Sequence, residues 1–351
     1  MMATTRYEYI DIAKGLGIWA VVWAHIMTSG FSHELCYAFH MPLFFLLSGM
    51  LFKREKYASF LDFVKHRSKR LFVPYLAYSL ATWVLWVVFR MLHGDIVESW
   101  WMPLLQTVIA KGSGAYLVHN SALWFIPCLF AVELMWFFFG KLNDWIAIVL
   151  SLLIGGCSFL LGAFLGDDWW FMLPWNLDAA FIALPFYGVG NVMVKRITQD
   201  KLVYYVDSHK PVMVAVWLAL SILMVVGTIE FGNCSMGSSS YNCNGWVFIL
   251  RAFIGCAAML CFSLLLDSVG KAVLGYRKLL DGLKWWGRNS LDVMCTHIPI
   301  KGVFVLVVAA FVKVTTEEVS STFWLSMIVF FATLVAVFIV VLLVNRIFRN
   351  K

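Results

Sequence analysis

Uninterrupted apolar stretches recur along the chain, and their length restricts the fold more than any other feature. About 20 apolar residues form a helix that crosses a bilayer, whereas the strands of a membrane barrel alternate apolar and polar residues. The composition agrees, because 62% of the residues are hydrophobic and 13% are charged, against about 45–50% and about 25% in soluble domains. The sequence therefore predicts an all-α polytopic membrane protein.

The apolar stretches predict about ten transmembrane helices. They cover residues 9–28, 36–52, 71–91, 117–139, 144–165, 178–194, 211–231, 246–268, 289–311 and 322–345. The first stretch does not resemble a cleaved signal peptide, because Asp11 and Lys14 lie in its first turns and no small-residue cleavage pattern follows. No linker, repeat or appended soluble domain is evident, so we expect one transmembrane domain over residues 1–351.

Basic residues concentrate in alternate connections, which predicts the sidedness of the chain. One set of connections and the two ends contain Arg6, Lys53, Arg54, Lys56, Lys65, Arg67, Lys69, Arg70, Lys141, Lys195, Arg196, Lys201, Lys210, Lys271, Arg277, Lys278, Lys284, Arg288, Arg346, Arg349 and Lys351. The other set contains only Arg90, Lys111 and Lys313. Both termini are therefore expected in the cytoplasm. The net charge of +7 then reflects topology and contact with membrane lipid, and gives no case for nucleic-acid binding.

The same sidedness exposes the polar loop between Cys234 and Cys243 on the outer face. An oxidising compartment there would allow the two cysteines to form a disulfide. The chain shows no cysteine and histidine spacing typical of a metal site, so no metal is expected.

Lys14 and His25 lie in the first apolar stretch with ten residues between them. Eleven steps of 100° make about three turns, so both side chains share one helix face, roughly 16 Å apart. A charge in a membrane span costs about 2.5–3.5 kcal/mol and usually faces a protein interior or a cavity. The alternative is a snorkelling lysine with a structural histidine near the interface.

The remaining polar residues of the spans form two predicted layers. The cytoplasmic layer contains Lys14, Arg67, Arg70, Arg288, Asn289 and Ser290. The outer layer contains His25, His40, Trp124, Asn176, Asp178 and His297. Two arginines at i and i+3 can bind phosphate bidentately, and a helix that begins at Asn289 or Ser290 offers free N–H groups to an anion.

Each of these features also has a structural alternative. The arginines can serve only to set topology, Asn289 or Ser290 can serve only as a cap, and Trp124 can be an interfacial anchor. Ser48 and Gly49 are expected to allow close helix packing. Arg251, inside the eighth span, requires a partner, for which Glu133 and Asp267 are the candidates.

Five segments in this order resemble the acyltransferase-3 family of integral membrane acyltransferases. They are Lys14 with His25 in the context Ile-Asp-Ile-Ala-Lys-Gly, His40-Met-Pro-Leu-Phe-Phe with Ser-Gly, Arg67-x-x-Arg70, Leu123-Trp-Phe, and Gly287-Arg-Asn-Ser-Leu with His297. The closest group is the fucose 4-O-acetylase-like acetyltransferases. Lys14 departs from the family's arginine, which keeps a cation but loses the bidentate fork.

The resemblance implies transfer of an acyl group, usually acetyl from acetyl-CoA, to a hydroxyl of a surface carbohydrate, in a bacterial inner membrane. The catalytic residues would be His25, with Asp178 or His40 orienting it. The donor phosphates would be bound by Lys14, Arg67, Arg70, Arg288 and Ser290. The acceptor would be contacted by Trp124, Asn176 and His297.

Two other classes of function remain compatible with the composition. A transporter or flippase for polysaccharide or lipid-linked oligosaccharide also has many spans and a polar interior, although no repeated half or matching broken helices are evident. A non-catalytic membrane scaffold explains the composition but not two separated polar layers. The longest outer connection, 92–116, is the first candidate for acceptor binding, and an interfacial helix resting on lipid is its alternative.

Overall fold

The described part of the chain is almost entirely helical, as predicted. The computed structural model describes residues 7–92, 99–112, 116–165, 173–232, 234–237, 240–241, 244–272 and 274–348. Two short strands, β1 (Cys234–Ser235) and β2 (Ser240–Tyr241), pair antiparallel with Cys234 opposite Tyr241. Cys243, the second cysteine of the predicted disulfide, lies outside the described residues.

The helices follow one another along the chain with short connections. They are α1 (Glu8–Ile26), α2 (Phe31–Tyr37), α3 (His40–Leu51), α4 (Phe60–Leu92), α5 (Met102–Ile109), α6 (Phe125–Phe139), α7 (Asp144–Leu165), α8 (Leu177–Arg196), α9 (Gln199–Ser208), α10 (Lys210–Phe231), α11 (Gly245–Ala272), α12 (Leu274–Arg288), α13 (Ser290–Val312), α14 (Thr316–Ser321) and α15 (Phe323–Phe348). Single 3₁₀ turns at Ser121–Trp124 and Pro174–Asn176 lead into α6 and α8.

Nine segments of the described ranges are long and apolar enough to span a membrane. They are Phe31–Leu51, Phe60–Leu92, Ser121–Phe139, Asp144–Leu161, Pro174–Arg196, Lys210–Phe231, Gly245–Gly270, Ser290–Val312 and Phe323–Ile347. The remaining predicted span is α1, a helix of 19 residues with Glu8, Asp11 and Lys14 among them. The apolar window of Ser121–Phe139 is 78% buried, whereas that of Lys210–Phe231 is 17% buried, so α6 is central and α10 peripheral.

The first helix lies in the middle of the bundle and contacts α3, α11, α12 and α13. The acidic residues of its first turn pair with α12, since Lys284 Nζ lies 2.7 Å from Glu8 Oε2 and Arg288 Nε lies 3.1 Å from Asp11 Oδ2. Gly287 packs directly on the Asp11 carbonyl, which permits the close approach of these helices. The acidic residues at the start of α1 are therefore neutralised by α12.

Gly49 allows α3 to pack closely on α8, as predicted. Gly49 lies against the carbonyl of Tyr187, and Gly190 lies against the carbonyl of Leu46, where a Cβ atom would collide with backbone. The Asn191 amide donates to the carbonyl of Gly49 at 3.1 Å. This contact fixes α3, which contributes residues to both cavities described below.

Two predicted boundaries and one predicted partner differ from the structure. The fourth helix begins at Phe60, so Arg67 and Arg70 lie inside it and not at a loop end. Residues assigned to the connection before the second span form α2. Neither predicted partner of Arg251 is correct. Glu133 pairs with Arg67, and Asp267 lies 16 residues further along the same helix, about 24 Å away. Arg251 instead donates to the carbonyls of Gly227 and Gly232 at 3.0 Å. Carbonyls at the C-terminal end of α10 thus accept the hydrogen bonds of Arg251.

Candidate active site

One cavity of about 190 Å³ is lined by five cationic side chains. They come from α1, from the turn between α3 and α4, and from α4: Lys14, Lys53, Lys56, Arg67 and Arg70. Ser48 and Ser290 add hydroxyl groups to the same wall. We name it the cationic cavity. Because lysine and arginine bind phosphate through charge-assisted hydrogen bonds, this lining suits a ligand with several negative charges.

One of these five charges is neutralised inside the protein. The Arg67 guanidinium donates through two nitrogens to both carboxylate oxygens of Glu133 on α6. The Glu133 side chain is only 2% exposed, and a bidentate pair of this kind fixes the orientation of both groups. Arg70, one turn further along α4, is exposed and lines the same cavity.

The residues at the α12–α13 junction have different positions from those expected. Arg288 pairs with Asp11 and does not contribute to the lining described for the cationic cavity. Asn289 precedes α13, but its amide donates to the Trp285 carbonyl at 2.8 Å and makes no side-chain cap. Of this group, Ser290 lines the cavity.

A second cavity, of about 230 Å³, is lined by His25 and His40. We name it the imidazole pocket. Its other lining residues are Tyr37, Met41, Gly112, Ser121, Trp124, Ser235, Met236 and Gly237. Both histidines and Trp124 were predicted for one layer, and the structure brings all three together.

Aromatic and imidazole rings surround His25. The centroid of the His297 ring lies 5.1 Å from that of His25, and Tyr37 lies 6.3 Å from it. The same tyrosine contacts His40 at 5.0 Å. His40 Nδ1 lies 2.6 Å from the Cys36 carbonyl, so Nδ1 carries the proton and Nε2 is left as an acceptor.

Asn176 connects two loops of the imidazole pocket. Its Oδ1 accepts the Gly112 N–H at 2.8 Å, and its Nδ2 donates to the Gly237 carbonyl at 2.7 Å. The Trp124 indole packs on both glycines, where a Cβ atom would lie 2.7–2.8 Å from the ring. Asn176, predicted to bind the acceptor, therefore holds the pocket wall together through its amide.

Asp178 is fully buried and interacts with Lys111. Burial lowers the pKa of Lys111, and the Asp178 carboxylate opposes that shift. Asp178, predicted to orient His25, therefore interacts with a loop lysine. The rings next to His25 belong to His297 and Tyr37.

The two cavities are lined by different residues, some of which belong to the same elements. Lys14 and His25 lie on one face of α1, Phe44 and His40 lie one turn apart on α3, and Phe125 directly follows Trp124. The rings of Phe44 and Phe125, with centroids 6.1 Å apart, belong to the lining of the cationic cavity. Lys14 and His25 are eleven residues apart, so the two cavities meet α1 at levels roughly 16 Å apart.

The sequence model of a protein family described as an acyltransferase domain matches residues 7–346. The chain belongs to the acyltransferase-3 family. The predicted family is confirmed, and the protein is an integral membrane acyltransferase. No curated protein and no solved structure matches the chain. Within the ranges that the structure covers, no group of three histidine, cysteine or acidic side chains is placed to hold a metal ion.

In this acyltransferase, sequence reasoning assigned Glu133 to the wrong partner and missed Tyr37 and Lys301 next to His25. Glu133 pairs with Arg67, Tyr37 contacts His25, and Lys301 Nζ donates to the His25 carbonyl at 2.8 Å. Lys301 carried a usable signal, because a lysine within a span, one turn after His297, usually faces the bundle interior. Nothing in the pattern around Tyr37 distinguishes it from an interfacial aromatic residue.

Proposed function

We propose that this acyltransferase moves an acetyl group from cytoplasmic acetyl-CoA to a hydroxyl of a carbohydrate on the far side of the membrane. The observation that supports the proposal is that one face of α1 contributes Lys14 to the cationic cavity and His25 to the imidazole pocket. A donor with phosphates at one end and a thioester at the other matches this separation of charge and base. The predicted sidedness places the cationic cavity toward the cytoplasm.

The donor phosphates would lie against Lys14, Arg67, Arg70 and Ser290, and the pantetheine arm would pass Phe44 to reach His25. The neutral imidazole of His25 takes the proton of the acceptor hydroxyl as its oxygen attacks the thioester carbon. The carbon–sulfur bond then breaks, and CoA leaves as a thiol after accepting a proton. Lys14, roughly 16 Å from His25 along the helix, acts on the donor side.

The acceptor would enter the imidazole pocket beside Trp124. Aromatic rings stack on the apolar faces of sugars, and Trp124 and Tyr37 both line this pocket. Asn176 supports the pocket through Gly112 and Gly237, so its replacement should raise the KM for the acceptor.

The test is acetyl transfer by the purified protein in detergent or lipid nanodiscs. Free CoA is measured with a thiol reagent, and acetylated glycan by mass spectrometry after incubation with membrane glycan from the expressing cells. His25→Ala should abolish both signals without reducing membrane insertion. His209→Ala, at an exposed position between α9 and α10, should retain them. Near wild-type transfer by His25→Ala would remove His25 from the mechanism.

The same experiment separates transfer from transport. Glycan export that depends on the protein while acetyl-CoA stays intact would support the transporter alternative and contradict acyl transfer.

A further inference from the structure

His297 presents a buried basic nitrogen whose role the fold alone does not explain. Its Nδ1 lies 3.1 Å from the Val293 carbonyl, which can only accept, so Nδ1 carries the proton and Nε2 is a lone-pair acceptor. The side chain is fully buried, and in the described part of the chain Nε2 has no hydrogen-bond partner. Native proteins rarely leave a buried polar atom in that state without a functional reason.

The neighbour best placed to supply a donor is His25. The ring centroids of the two imidazoles are 5.1 Å apart with the planes inclined by 41°. Because imidazole nitrogens lie at the ring edge, a His25 rotamer that turns one nitrogen toward His297 Nε2 can close this gap to hydrogen-bonding distance. His25, which lines the imidazole pocket, then directs its second nitrogen into that pocket.

The helix that carries His297 also holds the backbone at His25. Lys301, one turn after His297, donates to the His25 carbonyl at 2.8 Å, at a helix end where carbonyls lack intrahelical partners. Pro299 lacks an N–H for the Cys295 carbonyl, and the Asn120 amide supplies that bond at 2.6 Å. The helix α13 is thus fixed on both sides of the imidazole pair.

We propose that His297 is a positioning residue for His25. Its Nε2 accepts the N–H of the His25 ring, which selects the tautomer whose other nitrogen is free to take a proton from the acceptor hydroxyl. This inference rests on the proposed function, which makes His25 the base. It replaces the expected contact between His297 and the acceptor. The other groups that face His25 are Lys301 from α13, His33 and Tyr37 from α2, and His40 from α3.

The experiment compares the wild type with His297→Leu and His297→Gln. Leucine removes the acceptor, whereas the amide oxygen of glutamine reaches the position of Nε2. We expect His297→Leu to lower kcat by about 10–100-fold, the loss typical of partners that orient a functional imidazole, with the KM for acetyl-CoA unchanged. Glutamine should restore much of kcat. The matched control is His119→Leu, a buried histidine in neither cavity, which should keep wild-type kcat.

A second readout needs no acyl donor. Diethyl pyrocarbonate attacks the free nitrogen of a neutral imidazole, and peptide mass spectrometry measures its rate at His25. Labelling should slow several-fold in His297→Leu and recover in His297→Gln. If the wild type shows no transfer activity but His25 labelling still slows in His297→Leu and recovers in His297→Gln, acyl transfer is contradicted. The pairing of His297 with His25 is then supported. His25 labelling and kcat within twofold of wild type in a folded His297→Leu protein would overturn the pairing.

Discussion

Arg67 illustrates a conflict between stability and ligand binding at a single residue. Its guanidinium lines the cationic cavity, yet both of its outward hydrogen bonds engage Glu133. A buried pair contributes little net stability compared with apolar packing, but removal of one partner leaves an uncompensated charge. The pair therefore fixes the arginine in place more than it stabilises the fold.

We expect Glu133→Gln to destabilise the protein strongly, because it leaves the partly buried Arg67 without its counter-ion. The loss should be about 3–5 kcal/mol, measured as a fall in the thermal unfolding temperature in detergent. The double variant Arg67→Met, Glu133→Leu should recover most of it. Arg70→Gln is the control, since an exposed cation contributes about 0–1 kcal/mol. A Glu133→Gln protein as stable as the wild type would show that the pair is dispensable.

His119 gives the stability of the protein a dependence on pH. Burial lowers the pKa of His119 to about 4, whereas the pKa of a histidine in the unfolded chain is about 6.5. Below about pH 6.5 the His119 side chain binds a proton in the unfolded chain but stays neutral in the folded protein. The contribution of His119 to stability is therefore complete above pH 6.5 and is lost as the pH falls toward 4, by at most about 1.4 kcal/mol per pH unit.

The measurement is the difference in unfolding temperature between pH 7.5 and pH 5, compared between the wild type and His119→Gln. The difference should be smaller in the variant, because glutamine does not titrate and all other groups are common to both proteins. If the unfolding temperature changes equally with pH in the wild type and in His119→Gln, burial of His119 does not contribute to the pH dependence.

At the scale of elements, α13 depends on a bond supplied from outside the helix. Pro299 frees the Cys295 carbonyl, and the fully buried Asn120 satisfies it. Asn120→Ala should cost about 1–3 kcal/mol, since it leaves a buried acceptor unpaired. Pro299→Ala in the same protein restores an N–H at position 299 and should reduce that cost. Unfolding temperatures of the wild type, the two single variants and the double variant measure the coupling between Asn120 and Pro299. If the two stability losses simply add, the two residues are not coupled.

Hydrophobic length made the spanning helices predictable, and helical periodicity placed Lys14 and His25 on one face. The start of α4 was not predictable, because residues 60–66 mix apolar with charged side chains and follow the basic residues at 53–56. They resemble a connection, although they belong to the helix. Nor were the contacts Arg67–Glu133 and His25–Lys301, whose members lie 66 and 276 positions apart. Local sequence patterns show which residues are costly to bury, whereas the packing of helices distant in sequence decides which of these residues come into contact.

At the scale of the whole molecule, the proposed reaction requires the two cavities to face opposite sides of the membrane. The distribution of basic residues predicts that the turn Arg54–Lys56 is cytoplasmic and that the loop with Val118 is outside. In a variant without its other cysteines, Val118→Cys should react with a membrane-impermeant maleimide in intact cells, and Glu55→Cys only after lysis. Both residues lie in described segments, and Val118 is 44% exposed. The reverse pattern would invert the proposed direction of transfer.

The boundary between the cavities also permits a test that separates donor binding from transfer. Gly17 lies on α1 between Lys14 and His25, and a Cβ atom there would lie 3.3 Å from the Phe44 ring. We expect Gly17→Val to press on Phe44, at a packing cost of about 1–3 kcal/mol, and to hinder any passage of the donor between Phe44 and α1. Acetyl-CoA should still bind the cationic cavity, as measured by calorimetry, because its cations are unchanged, whereas transfer should fall at least about tenfold, which is about 1.4 kcal/mol of barrier.

Phe44→Leu is the companion variant, since it opens the same boundary without adding volume to α1. If the thioester passes this point, Phe44→Leu in the Gly17→Val background should restore part of the transfer rate. Equal loss of binding and transfer in Gly17→Val would mean that the residue supports the fold only. Unchanged transfer would mean that the acyl group reaches His25 by a route that does not pass between Phe44 and α1.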